Sequence, residues 1–155
     1  MVKQERDSNE CGLCVVAMLT DRSREELVAE FPHYEKMADW KWLNYLHSLG
    51  FHLEDPRDDE GFDKTRVCDG NVFAGHFKLP RGHRYYCTVW VPPMPIEVSH
   101  AVAIDENGLV FDPSTRAPIT GQCSLEQYVM FGYERFKAVR IACCYRLSRM
   151  ILRRR

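Results

Sequence analysis

The sequence predicts a single α+β domain in which helices come first and an antiparallel sheet follows. Apolar residues recur at helical spacing as far as Gly50, whereas the second half consists of β-branched and aromatic runs separated by Pro, Gly and Asn. The 155 residues, of which 45% are hydrophobic, suffice for one core without metals or disulfides. We therefore expect one domain with a helical part over 1–51, an acidic loop over 52–70, a sheet part over 71–146 and a basic tail over 147–155.

Three helices are predicted in the first third of the chain. Residues 13–19 are apolar on every side, which predicts a helix buried all round with Cys11 at its start. The segment Ser23-Arg24-Glu25-Glu26 is a capping box that opens a second helix, and this helix must end before Pro32. A third helix stops at Gly50 and carries an apolar stripe. The stripe consists of Met37, Trp40, Leu43 and Leu46.

The second half predicts five strands and one short helix. The strand-like runs cover residues 72–79, 85–91, 98–104, 109–111 and 138–145. Ser124 is a candidate cap for a short helix that reaches Tyr128. Because helices precede an antiparallel sheet, we expect one face of the sheet to cover the buried first helix, which places Cys11 against the sheet.

The overall charge excludes partners that are recognised by bulk electrostatics. The formal net charge of −1 argues against a protein that wraps nucleic acid or lies on an anionic membrane. Charge is nonetheless uneven, because acidic residues cluster from Glu54 to Asp63 and arginines cluster from Arg146 to Arg155. We interpret both runs as solvated surface and take the basic tail as a candidate docking element for an acidic partner.

Cysteine usage and the N-terminal residues indicate the compartment. The seven cysteines are an odd number without framework spacing, and Cys143 and Cys144 are adjacent, so we predict thiols in a reducing compartment. Residues 1–10 are polar and charged, so no apolar signal core precedes the domain, and no apolar run approaches membrane length. We expect a cytoplasmic protein without a membrane span.

Cys11 is the candidate nucleophile. A helix N-terminus stabilises a thiolate through its dipole and its free N–H groups, and Gly12 leaves room for a substrate backbone to approach the sulfur. The alternative is that Cys11 is only a small apolar residue. The pair Cys11 and Cys14 also has the spacing of a dithiol redox motif or half a zinc site, but no strand precedes it and no second close pair follows. We therefore expect no metal and no cofactor.

His100 and Asp112 are the candidate base and orienting residue. A strand begins at His100, and the next strand ends at Asp112-Pro113. If the connecting hairpin has a three-residue loop over 106–108, Asp112 pairs with Val102 and lies on the His100 face; a two-residue loop would point it away. The triad therefore predicts the three-residue loop with Gly108 in a left-handed conformation.

An acyl-transfer site also needs hydrogen-bond donors for the oxyanion. The backbone N–H of Cys11 is one donor, and the side-chain amide of Gln4 is the candidate for the second, with Asn9 as a further candidate.

In order and spacing, these residues resemble the C39-like branch of papain-like cysteine peptidases, which includes bacteriocin-processing peptidases. That branch carries a glutamine, an acidic residue followed by Cys-Gly and an apolar helix, a strand that begins at histidine and a strand that ends in Asp-Pro. The matching pieces are Gln4, residues 10–19, residues 100–104 and Asp112-Pro113. The resemblance implies a papain-like fold over most of the chain, with Cys11 as nucleophile, His100 as base, Asp112 as orienting residue and Gln4 as oxyanion donor.

The leading hypothesis is therefore a cysteine peptidase that hydrolyses a peptide or isopeptide bond of a peptide or protein substrate through an acyl-enzyme. Two alternatives stay open. One is a catalytically inactive peptide-binding module of the same fold, and the other is a related thiol deamidase or acyltransferase.

Overall fold

The structure is a computed structural model that describes residues 10–56, 67–68, 71–72, 79–90, 100–114, 123–125, 127–128 and 140–149. These ranges contain helices followed by strands, so the α+β prediction is confirmed. The helices are α1 (Cys11–Thr20), α2 (Arg24–Glu30) and α3 (Asp39–Ser48), with a 3-10 turn at Tyr34–Lys36. The strands are β1 (Phe51–Glu54), β2 (Val67–Cys68), β3 (Asn71–Val72), β4 (Arg84–Trp90), β5 (His100–Ile104), β6 (Leu109–Phe111), β7 (Cys123–Ser124) and β8 (Arg140–Arg149).

The described strands form one sheet in the order β2-β3-β8-β4-β5-β6-β7, with β1 also paired to β8. Every strand pair among them is antiparallel. The long β8 is therefore central, and β4 joins it to the β5–β6 hairpin that carries the candidate base.

The first two helices follow the sequence pattern. Most of α1 is buried, because its apolar residues surround the helix on every side. At the start of α2 the Ser23 hydroxyl accepts a hydrogen bond from the Glu26 N–H at 3.1 Å, and the helix ends before Pro32. Both predictions are confirmed.

The third helix is confirmed, but part of its predicted stripe is wrong. The helix begins at Asp39, so Met37 precedes it, and the Trp40 side chain is 61% exposed. Leu46 of the predicted stripe is buried, and Leu43 packs against the core. Trp42, which the stripe did not include, is buried one helical turn before Leu46. Near Trp40 the residue spacing was compatible with more than one face, and packing against α1 selected the face that carries Trp42.

The core lies between α1 and one face of the sheet. Ala101 and Ala103 of β5 and Tyr86 of β4 are buried in the same cluster as the apolar side chains of α1. The small alanines let the helix approach β5 closely, which brings the first residue of α1 to the beginning of that strand. Among the described residues, no helix combines the length and hydropathy needed to cross a bilayer.

The β5–β6 hairpin has the predicted three-residue loop. Ala103 pairs with Phe111 and Ile104 pairs with Val110, so the same register sets Asp112 opposite Val102. The loop closes with a hydrogen bond from the Gly108 N–H to the Asp105 carbonyl at 3.0 Å, and Gly108 has φ +78°. The register prediction is confirmed, and it directs His100 and Asp112 to the same face of the hairpin.

Strand pairing extends beyond the predicted boundaries at two places. β1 and β2 occupy parts of the 52–70 segment for which a loop was predicted, and β8 continues to Arg149, into the predicted tail. The cause is long-range: β1 pairs along the second half of β8. Within this pairing Arg146 donates to the Glu54 carboxylate at 2.9 and 2.7 Å, so one residue of the basic run neutralises one of the acidic run.

One pair of cysteines corrects the prediction that all seven are thiols. Cys87 of β4 and Cys144 of β8 lie directly opposite one another, with Cα atoms 4.2 Å apart, and are joined in a disulfide. The strand register causes the pairing, and the spacing along the sequence contains no sign of it. Among the described cysteines, Cys11, Cys14 and Cys123 are free thiols.

Candidate active site

Cys11 is the first residue of α1, as the apolar run predicted. It is partly exposed, whereas Cys14, one turn further along, is fully buried in the core. The Cys11 sulfur accepts a hydrogen bond from the backbone N–H of Ala101 in β5. The nucleophile candidate therefore sits where the helix N-terminus meets the beginning of the His100 strand.

Gly12 has a structural role that differs from the expected one. A Cβ built on Gly12 would lie 2.5 Å from Cδ1 and from Nε1 of Trp42, and 3.3 Å from the Tyr86 hydroxyl. Because Trp42 is itself buried, its ring has no room to retreat. Glycine after the nucleophile is thus required by the packing of α3 against α1, and Gly12 is buried rather than open to a substrate.

His100 lies between Cys11 and Asp112. Its Nε2 is 2.6 Å from Asp112 Oδ1, and the ring also hydrogen-bonds the Cys11 side chain. Because Nε2 faces the carboxylate, Nδ1 is the nitrogen left for the sulfur. The His100 side chain is 13% exposed and that of Asp112 is 3% exposed. Three residues separated along the sequence are thus neighbours in one site, with His100 between the other two.

The Asp112 carboxylate is held by more than the histidine. The backbone N–H of Ser114 donates to Oδ1 at 2.8 Å, and the Tyr128 hydroxyl donates to Oδ2 at 2.5 Å. Tyr128 is buried, with 1% exposure. With donors on both oxygens, the carboxylate plane is fixed, and with it the orientation of the imidazole.

The electrostatics of the site favour a charged pair. Burial raises the pKa of the Cys11 thiol, but the hydrogen bond and charge of His100 and the Ala101 N–H outweigh it, so the pKa is lowered from 9.0. Burial lowers the pKa of His100, but Asp112 and the Cys11 thiolate outweigh it and raise the pKa to about 10. Because the pKa of Cys11 is lowered and that of His100 is raised, the site favours a thiolate beside an imidazolium.

Asp39 opposes the activation of Cys11, and the neighbouring thiol of Cys14 is not activated. The charge of Asp39 raises the pKa of Cys11, and Asp39 Oδ1 accepts a hydrogen bond from the Tyr86 hydroxyl at 2.6 Å. Burial raises the pKa of Cys14 to about 12, so that its thiol stays protonated, which fits the core position expected for it.

Gln4 and Asn9, the candidate side-chain donors for an oxyanion, lie outside the described residues. The Cys11 backbone N–H remains the candidate donor that the structure does describe. Within the described part of the chain, no group of three His, Cys, Asp or Glu residues is arranged to hold a metal ion.

Tyr128 is a site residue that the sequence did not indicate. The capping pattern that predicted its helix is present, because the Gln127 N–H donates to Ser124 Oγ at 3.1 Å and the Ser124 N–H donates to Gln127 Oε1 at 3.0 Å. The sequence does not show that the Tyr128 hydroxyl is buried, and a buried hydroxyl usually has a hydrogen-bond partner.

Comparison of the chain with protein-family models, with curated protein sequences and with solved structures found no match. The resemblance to papain-like peptidases therefore stays a prediction from the sequence, and the geometry of the residues is the ground on which a function can be argued.

Proposed function

We propose that the protein is a thiol hydrolase in which Cys11, His100 and Asp112 act as nucleophile, general base and orienting residue. The proposal is supported by the buried Asp112 carboxylate that holds the His100 ring and by the effect of His100, which lowers the pKa of Cys11. A core cysteine without chemistry has no need of an imidazole whose second nitrogen is fixed by a carboxylate.

Within this class, the cysteine peptidases of the papain-like, C39-like branch are the group that the proposal favours. The helices-then-sheet order agrees with that choice, and the order of nucleophile, base and orienting residue along the chain is the same. The proposed substrate is a peptide or isopeptide bond of a peptide or protein.

The proposed reaction has two steps. The Cys11 thiolate attacks the carbonyl carbon, the oxyanion is stabilised by the Cys11 N–H and by Gln4, and the His100 imidazolium gives its proton to the leaving amine as the C–N bond breaks. Water then gives a proton to His100 and attacks the thioester, the C–S bond breaks, and the carboxylic acid is released with the Cys11 thiolate and the His100 imidazolium restored.

The test is to trap the acyl-enzyme. Wild type, Cys11→Ala and Cys11→Ser are incubated with a cell extract, quenched in acid, and the peptide that contains residue 11 is mapped by mass spectrometry. The proposal expects an acyl mass on Cys11 of the wild type, a longer-lived ester on Cys11→Ser and neither on Cys11→Ala. An unmodified Cys11 under all conditions, with a folded protein, contradicts the proposal and favours a non-catalytic binding module.

The same experiment separates hydrolysis from transfer. If the trapped acyl group leaves as a free acid in water, the enzyme is a hydrolase. If it leaves only when an amine is added, the same triad serves an acyltransferase, and release of ammonia during acylation identifies a deamidase.

A further inference from the structure

Glu10, the residue before the candidate nucleophile, carries a carboxylate that is 1% exposed. It is the N-cap of α1, and its carbonyl accepts the helical hydrogen bond from the Cys14 N–H at 2.9 Å. The N-terminus of a helix attracts carboxylates, because its N–H groups and dipole are positive. Within the described chain, however, the Glu10 side chain makes no capping bond to α1.

Arg24, the first residue of α2, holds this carboxylate instead. Its Nε donates to Glu10 Oε2 at 2.9 Å and its Nη2 donates to Oε1 at 2.6 Å. The Tyr34 hydroxyl adds a third hydrogen bond, to Oε1 at 3.2 Å. A two-pronged arginine contact fixes both oxygens and the plane of the carboxylate, which a single contact would not do.

We propose that Arg24 is a positioning residue for the nucleophile, because its grip on Glu10 keeps a carboxylate off the N-terminus of α1. The N–H groups of the first turn then stay available to the Cys11 thiolate and to the oxyanion of a substrate. The inference rests on the proposed function, since it assigns a role within the same site.

The charges of the pair already act on the neighbouring cysteine. Burial raises the pKa of Cys14, the charge of Glu10 raises it further and the charge of Arg24 lowers it. The two charges thus have opposite effects on the pKa of Cys14. Without the guanidinium, the buried carboxylate next to Cys11 would lose the cation that holds both of its oxygens. A carboxylate at this place disfavours a thiolate and competes with an oxyanion for the same donors.

The test measures how fast iodoacetamide alkylates Cys11 in the full-length protein, from acid to alkaline pH. The variants are Arg24→Met, Glu10→Gln and the double variant that carries both changes. Arg24→Met is expected to alkylate roughly tenfold more slowly at neutral pH, the effect of raising the Cys11 pKa by about one unit. Glu10→Gln leaves the cation in place, so its rate stays equal to wild type or rises. The double variant removes both charges and returns to within about twofold of wild type.

The sign of the charge that each variant removes distinguishes a positioning role of Arg24 from a packing role. Equal losses in Arg24→Met and Glu10→Gln, or a double variant as slow as Arg24→Met, would overturn the proposal, because a merely structural contact predicts those results. Circular dichroism checks folding. If Arg24→Met does not fold, Arg24→Lys replaces it. Lys keeps the charge but cannot hold both carboxylate oxygens, so the proposal expects Cys11 to alkylate more slowly than in wild type, and a wild-type rate contradicts it.

Failure of the inference and failure of the proposed function look different. If Cys11 of the wild type reacts no faster than an ordinary thiol, the proposed function fails. If the wild type is activated and Arg24→Met is equally activated, only the role of Arg24 is refuted.

Discussion

Replacement of Tyr128 by phenylalanine removes a single oxygen atom from the site and tests whether Asp112 must be held from both sides. The Tyr128 hydroxyl donates to Asp112 Oδ2 at 2.5 Å, and both side chains are buried. A hydrogen bond to a charged group contributes about 1.5–3 kcal/mol. We expect the free energy of unfolding to fall by about that amount.

The expected effect on the site is smaller than the loss of the triad. Asp112 keeps the His100 ring and the Ser114 N–H on its other oxygen, so Cys11 should still alkylate readily. Turnover should fall roughly tenfold, because an imidazole held less firmly is aligned in a smaller fraction of complexes, a change of about 1.4 kcal/mol in the barrier.

Tyr85→Phe is the matched control. Tyr85 is equally buried, but its hydroxyl donates to the carbonyl of Pro80 at 2.7 Å, far along the chain from the triad. A bond to a neutral acceptor contributes about 0.5–1.5 kcal/mol, and turnover should not change. Urea denaturation and a turnover assay are run on both variants. If Tyr128→Phe is no less stable than Tyr85→Phe and turns over as fast as wild type, the account of Asp112 is refuted.

Three further predictions follow from the geometry around Cys11. Gly12→Ala drives a Cβ into the buried Trp42 ring, so it should destabilise the protein by about 1–2 kcal/mol in urea denaturation, despite the better helix propensity of alanine. His100→Ala removes the hydrogen bond and charge that lower the pKa of Cys11. When the alkylation rate of Cys11 is plotted against pH, the midpoint of the curve should therefore rise to 9.0 or above. A midpoint unchanged from wild type contradicts the ion pair. Asp39→Asn removes a charge that raises the same pKa, so its midpoint should move to lower pH, and a shift to higher pH refutes the assigned sign.

Local signals predicted the parts of the fold that local physics decides. The all-apolar run places α1, the capping box at Ser23 places α2, and the turn at Gly108 sets the register of the β5–β6 hairpin. The shared face of His100 and Asp112 depends on the loop length, which the hairpin sequence left open between two and three residues. The triad hypothesis selected the three-residue loop, and the observed register agrees with it.

Contacts between distant segments could not be predicted in this way. The Glu54–Arg146 ion pair joins residues separated by 92 positions, and the Cys87–Cys144 disulfide depends on which strands are neighbours in the sheet. Neither leaves a mark on the spacing along the chain.

The supporting residues of the site show the same limit. Tyr128 and Arg24 were visible in the sequence only as members of short helices. Their contacts with Asp112 and Glu10 arise once the sheet and the helices have packed together.

The central claim is that the native fold activates Cys11 through His100. The most direct test compares the alkylation rate of Cys11 in the native protein with its rate in urea-unfolded protein at the same mildly acidic pH, by peptide mapping. Folding buries part of the sulfur, so an ordinary thiol reacts more slowly in the native state. The account predicts that native Cys11 reacts faster than unfolded Cys11 and that His100→Ala abolishes the difference. A native rate at or below the unfolded rate would contradict it.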